Sequence, residues 1–138
     1  MKKVVSAAKK KYEEIHFVDT QQPVWNYSLF TEDDIRNFQQ GTHYRLYELL
    51  GNKQLTVLNT TGTYFAVWAP NATAVSVIGN FNNWTPDLHP LKVRLDSSGI
   101  WEGFIPNIGR GESYKYHIHG YKGIKLDKGD PFAHFWEK

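Results

Sequence analysis

Trp84 closes a short run, Gly79-Asn80-Phe81-Asn82-Asn83-Trp84, that follows the apolar stretch Val75-Ser76-Val77-Ile78. A flat indole beside short carboxamides suits a sugar ring. The C–H face of the ring stacks on the indole, and its hydroxyls exchange hydrogen bonds with the amides. Asn82 and Asn83 are the candidate amide partners. Lys115, set between two aromatics in Tyr114-Lys115-Tyr116, adds a long donor that points outward from its strand. A plainer alternative is structural. Trp84 then caps a core edge, the asparagines only turn the chain, and Lys115 is an ordinary solvated strand position.

Other chemistries find less support. Glycoside cleavage needs two carboxylates converging on one bond. Glu48, Asp87, Asp96, Glu102, Asp127 and Asp130 are scattered over turns and strand ends, and none has an evident second member. Ser97-Ser98 lacks the Gly-x-Ser-x-Gly setting of a nucleophile elbow. Gly109-x-Gly111 is far short of a phosphate-binding loop. His117 and His119 share one strand face, but the sequence indicates no third ligand, so no metal is expected. No catalytic residue and no cofactor are expected.

The elements that must hold these residues are strands. Aromatic residues make up 15% of the 138, a share that favours sheet over helix. Thr63 to Ala69 is apolar on both faces, hence central. Ala74 to Gly79 follows, and Gly79 lets the backbone leave the ladder. Leu91, Val93 and Leu95 alternate with Lys92 and Arg94, which predicts the former facing in and the latter out. Ile100 to Ile105 returns after the hairpin loop Asp96-Ser97-Ser98-Gly99. Tyr114, Tyr116 and Ile118 then face inward, with Lys115, His117 and His119 outward. Ile124 and Leu126 belong to a short last strand. Seven strands at most, joined by short loops, predict an all-β fold: an immunoglobulin-like antiparallel β-sandwich with a short helical or irregular N-terminal extension.

Before the sandwich, residues 1–20 read as a mobile segment or a poorly packed helix around Ala7 to Glu14. Residues 21–58 read as a helical and irregular lead-in. It carries an aromatic patch of Trp25, Tyr27, Leu29 and Phe30 that must pack on something. Thr31 caps a short helix with Asp34 at its third position, and Gly41 ends it. His43 to Leu50 reads as irregular or one helical turn, and Leu55 to Leu58 as a possible strand. The sandwich is assigned to 59–129. Residues 130–138, with Phe135 and Trp136 near the end, read as the start of a linker into a larger protein.

The net charge of +2 hides an asymmetry. Five lysines lie among the first eleven residues with no acid, which leaves −3 over residues 12–138. That gives nucleic acid no electrostatic footing. No apolar run approaches the ~18 residues that span a bilayer, and the basic start lacks a signal's apolar segment. With no cysteine, a cytoplasmic protein is the simplest expectation.

Five ordered motifs carry a resemblance: Phe65-Ala66-Val67-Trp68-Ala69-Pro70-Asn71-Ala72; Val75 through Trp84; Gly99-Ile100-Trp101-Glu102 with Phe104-Ile105-Pro106; Tyr114-Lys115-Tyr116; and Asp130-Pro131-Phe132-Ala133. Together they resemble the starch- and glycogen-associated carbohydrate-binding module of the family-48 type. Tyr44-Arg45-Leu46-Tyr47-Glu48-Leu49-Leu50-Gly51 is similar to the lead-in of glycogen branching enzymes. The resemblance implies a parent that cuts an α-1,4-glucan and rejoins the piece through an α-1,6 bond. Its catalytic residues would lie in a (β/α)₈ barrel outside this sequence. It implies glucan contact at Trp84 and Lys115, with glycogen or a maltooligosaccharide as ligand and the barrel of the same parent chain as partner. Glycogen-binding members add an aromatic after the next turn, and Tyr121 stands near that place. The rival readings are a purely structural domain docked on the barrel and a freestanding glycogen-targeting module.

Overall fold

The computed structural model describes residues 2–6, 15–41, 49–109 and 111–130. In chain order the elements are β1 (Lys2–Ser6), β2 (Ile15–Asp19), α1 (Glu32–Gln39), β3 (Gly51–Val57), β4 (Thr60–Trp68), β5 (Ala74–Gly79), β6 (Lys92–Val93), β7 (Ile100–Pro106), β8 (Tyr114–His119) and β9 (Lys125–Lys128). Strands β3-β4-β7-β6 form one antiparallel sheet and β5-β8-β9 a second, while β1 and β2 pair with each other. The seven-strand, two-sheet sandwich expected from the spacing is present.

Strand β4 explains the layering. Its residues are buried on both faces from Gly62 to Val67. Phe65 and Val67 pack with Val75, Val77, Trp101, Ile105 and Tyr116 between the two sheets. Tyr64 and Ala66 face the other way, into a second core with Trp25, Phe30, Ile35, Leu50, Ile100 and Phe104. This second core is where the aromatic lead-in goes: it covers the outside of the four-stranded sheet. Trp25 joins that sheet by backbone, its N–H donating to the Phe104 carbonyl at 2.6 Å and the Phe104 N–H returning to Trp25 at 2.8 Å. Helix α1 is capped as the sequence predicts. Thr31 Oγ1 accepts from the Asp34 N–H at 3.1 Å, and the Asp34 carboxylate accepts from the Thr31 N–H at 2.9 Å.

Three expectations are corrected. The N-terminal segment is not a loose helix where it is described: β1 and β2 pair, and Val18 is fully buried in the second core. The stretch Ala7–Glu14 lies outside the described residues, as do most of His43–Leu50 and all of 131–138. Strand β3 starts at Gly51 rather than Leu55 and pairs with β4 along its whole length, so the sheet takes in part of the expected lead-in. The alternation at 91–95 does not hold. Leu91 bonds β5, its N–H donating to the Val75 carbonyl at 2.9 Å, and the chain then crosses to β7 at Lys92 and Val93. After that crossing Val93 and Leu95 are exposed, and Arg94 turns inward.

Arg94 turns inward because Glu102 is buried there. Its Nη1 donates to Glu102 Oε2 at 3.0 Å and to Ser28 Oγ at 2.6 Å, and its Nε to Asp96 Oδ2 at 2.8 Å. The Tyr64 hydroxyl donates to Glu102 Oε1 at 2.7 Å. Burial holds the Glu102 carboxyl above its usual range, against the pull of Arg94. Burial also holds the Tyr64 phenol well above its ordinary value. Glu102→Ala would leave the Tyr64 hydroxyl without its carboxylate and Arg94 with Asp96 as its remaining acid, so we expect urea unfolding to show a loss of about 1–3 kcal/mol. A loss under about 0.5 kcal/mol, the usual reach of surface changes, would show that the network holds nothing together.

Candidate functional site

Strand β5 delivers the chain to Gly79, where the ladder with β8 ends at the pair Gly79–Tyr114. A Cβ at Gly79 would lie 2.6 Å from the Ser113 carbonyl oxygen and 2.8 Å from the Phe81 ring, so only glycine fits. Asn80–Asn82 form one turn of 3₁₀ helix. Asn83 and Trp84 then both take left-handed backbone, with φ of 55° and 57°. Asparagine tolerates this; tryptophan does so only when held. The Trp84 N–H donates to the Gly79 carbonyl at 2.8 Å, and the Thr85 N–H to the Asn82 carbonyl at 3.1 Å.

The Asn82 carboxamide is the clamp. Its Oδ1 accepts from the Gly79 N–H at 3.0 Å, and its Nδ2 donates to the Val77 carbonyl at 3.0 Å. The second Nδ2 hydrogen meets His89 Nδ1 at 3.0 Å. Asn82 is buried with both amide hydrogens spent, so it cannot serve a ligand as the sequence reading expects. It builds the turn instead. Asn83 is exposed and takes over as the available amide.

Trp84 is thereby presented outward. It is 38% exposed, and its Nε1–H donates to Asn80 Oδ1 at 2.9 Å, which fixes the indole without covering it. Lys115 sits on β8 opposite Ile78, one step from the end of the ladder that supports Trp84. It is exposed, and no ion pair engages it among the described residues. Trp84, Asn83 and Lys115 therefore gather at one end of the β5–β8–β9 sheet. Tyr121 does not join them. It lies beyond His119 at the opposite end of β8, and the strand from Lys115 to His119 alone spans roughly 13 Å.

The outer face of the same sheet carries a second cluster that sequence reasoning saw only in part. His119 Nε2 lies 3.0 Å from Asp87 Oδ1, and His117 Nδ1 lies 2.6 Å from Asp127 Oδ1. The two imidazoles meet edge to face at 5.0 Å between centroids. His117 is buried rather than solvated. The i, i+2 spacing of the histidines was the visible signal. Asp87 and Asp127 arrive from a loop and from β9, so only the fold could supply them.

At the far end, Trp68, Tyr121, Ile124 and Leu126 are all exposed and line one apolar groove with Phe38, Ala69 and Ile118. Of the scattered acids, Glu48 lies outside the described residues and the other five are engaged. Asp130 is buried and accepts from the Tyr114 and Tyr116 hydroxyls, Glu102 and Asp96 hold Arg94, and Asp87 and Asp127 hold imidazoles. No two of these five are free to converge on one bond.

The clamp makes a pH prediction. Burial holds His89 below its ordinary value of 6.5, and its Nδ1 must stay unprotonated to accept from Asn82. The unfolded chain therefore takes up the proton first. Stability contributed by this group is full above about pH 6.5 and falls as the pH drops through the unfolded and then the folded pKa. We expect the urea midpoint to decline from pH 7 to 5, and His89→Gln to flatten part of that slope. Identical slopes in the two proteins would contradict the assignment.

Comparison with known proteins agrees with the fold. The sequence profile of carbohydrate-binding module 48 (isoamylase N-terminal domain) matches residues 49–133. The chain is 46% identical over 107 residues to a 1,4-alpha-glucan branching enzyme of Synechocystis sp., covering 78% of this chain and 14% of that protein. It is 48% identical over 111 residues to the branching enzyme of Aromatoleum aromaticum, covering 80% and 17%. It is 49% identical over 104 residues to that of Corynebacterium diphtheriae, covering 72% and 14%. The matched part of the chain thus spans only 14–17% of the length of these relatives. No helix among the described residues is long and apolar enough to cross a membrane. With the profile matched over most of the sandwich and its lead-in strand, this chain belongs to the carbohydrate-binding module 48 family.

Proposed function

We propose that this chain is the non-catalytic, glucan-binding sandwich of a cytoplasmic 1,4-alpha-glucan branching enzyme. Its ligand is a short linear α-1,4-glucan, as in glycogen or a maltooligosaccharide. Trp84 stacks a glucose ring, Lys115 donates to ring hydroxyls, and Asn83 supplies the amide. The observation that carries this reading is the cost of the Trp84 conformation. A tryptophan is held left-handed, half out of the protein, by a dedicated set of hydrogen bonds. A core-capping residue needs no such arrangement. Cutting the α-1,4 bond and remaking it as α-1,6 belongs to the catalytic barrel of the same parent.

A stack and a few hydrogen bonds on an open surface give millimolar affinity, on the order of −4 kcal/mol. That suffices for a tethered enzyme, because the module raises the local concentration of the chain ends to be transferred. The apolar groove supports an additional structural role. Trp68, Tyr121, Ile124 and Leu126 form an exposed patch of the kind that marks a docking surface. We assign it to the barrel of the parent, and with it Tyr121, which the glucan site leaves unused.

Titration with maltoheptaose, followed by calorimetry and tryptophan fluorescence, tests the sugar site. Saturable binding near 1 mM is expected, lost in Trp84→Ala and weakened in Lys115→Ala, with circular dichroism unchanged. Absence of heat in all three proteins at tens of millimolar sugar would overturn the site and leave docking as the role of the domain.

A further inference from the structure

We propose that the outer face of the β5–β8–β9 sheet carries a divalent transition-metal site, with Asp87, His117 and His119 as ligands and Asp127 as the carboxylate behind His117. One ligand atom from each of the three residues lies within 4.8 Å of the other two. Three atoms at the limit of that spacing leave an ion roughly 2.8 Å from each. Bonds of ~2.0–2.2 Å, the range for imidazole and carboxylate on zinc, need only a small closure. Asp87 can provide it, because its side chain is 58% exposed while its backbone is fixed. That backbone is left-handed, with φ of 69°, and its N–H donates to Ser76 Oγ at 3.1 Å.

The donor set chooses the class of ion. Two imidazoles and one carboxylate suit zinc, cobalt, nickel or copper over calcium or magnesium, which prefer oxygen alone. The second layer is also in place. His117 Nδ1 sits 2.6 Å from Asp127 Oδ1, the arrangement in which an N–H donates to a carboxylate. This leaves Nε2 as the free ligand atom of His117. A carboxylate–histidine–metal relay of this form fixes the ring and raises its basicity. His119 Nε2 already faces Asp87 Oδ1 at 3.0 Å. A bound cation takes the place of the hydrogen between them, and the neutral imidazole keeps its one N–H on Nδ1. Solvent occupies the fourth position, since Asp87 and His119 both reach the surface. Lys125, opposite His119 in the register, is exposed, so water screens its charge.

Occupation would tie the loop that follows Trp84 to the middle of β8. The ion would thus brace the same loop from which Trp84 projects, while touching none of the residues assigned to sugar.

The test uses the 138-residue chain without a histidine tag, at pH 7.5. Zinc is titrated by calorimetry, and cobalt by its visible absorption. We expect saturation at one ion per chain, a cobalt band of the low-coordinate type, and a zinc-dependent rise in the melting midpoint. Asp87→Asn and His119→Gln should each weaken zinc at least about tenfold. Asp127→Asn should weaken it by a factor in the ~10–100 range of lost outer-layer carboxylates. Trp84→Ala should leave the isotherm unchanged. Asp87→Asn keeps the backbone bond to Ser76, so it reports on the site even if a histidine variant folds poorly. An unchanged isotherm in the His117→Gln/His119→Gln double variant, or no saturation with equimolar zinc, would overturn the proposal.

Discussion

The arrangement of this molecule's working surface depends on one side-chain amide. Asn82 bonds Gly79, Val77 and His89 at once, and so joins the end of β5, the turn and the returning chain. Two consecutive left-handed residues without glycine, Asn83 and Trp84, cost on the order of 1–3 kcal/mol each. Three hydrogen bonds of the Asn82 side chain, with those from the Trp84 and Thr85 N–H groups, contribute about 1 kcal/mol apiece and offset that strain. The result is an indole that is ordered without being buried. An ordered aromatic loses little freedom on binding, and for a weak surface site that saving matters more than any single added contact.

The second determinant is asymmetry between the two sheets. The outside of the β3-β4-β7-β6 sheet is closed by Val18, Trp25, Phe30, Ile35 and Leu50, which pack on Tyr64, Ala66 and Phe104. Among the described residues, the outside of the β5-β8-β9 sheet carries no comparable apolar cluster. Lys115, His117 and His119 alternate with core residues along β8 and occupy it instead. This explains why Trp84, the histidine–carboxylate cluster and the free lysine all fall on one side of the sandwich. The lead-in segment uses up the other side. It also explains the Arg94–Glu102–Tyr64 network: the charged groups lie at the seam where the lead-in meets the sheet, and Ser28 completes them.

Much of this was legible in the sequence, because local rules and tertiary packing agree there. The Thr31 cap, the doubly apolar β4 and the Tyr-Lys-Tyr alternation of β8 all follow from period and turn chemistry, whereas the sequence left Trp84 open between an outward ring and a core-edge cap. The failures lie where residues distant in sequence decide. Leu91, Val93 and Leu95 alternate well, yet the chain switches sheets between Leu91 and Val93, and the buried Glu102 draws Arg94 inward. Asn82 and Asn83 are the same residue type in adjacent places, and the bonds of Asn82 to Gly79, Val77 and His89 separate the clamp from the free amide. Asp87 and Asp127 carried no local signal, because each becomes a histidine partner only through the fold. Tyr121 matched a motif position by proximity, but the antiparallel register sends it to the far end of the sheet.

The central claim is that the sugar is held at the Trp84 end of the β5–β8–β9 sheet. Amide chemical-shift mapping of the ¹⁵N-labelled chain during addition of maltoheptaose tests it most directly. We expect the largest shifts on Gly79 to Thr85 and on Tyr114 to Tyr116, together with the Trp84 indole N–H. Shifts confined to Tyr121 to Leu126, around the apolar groove, would contradict it, as would a spectrum that sugar leaves unmoved.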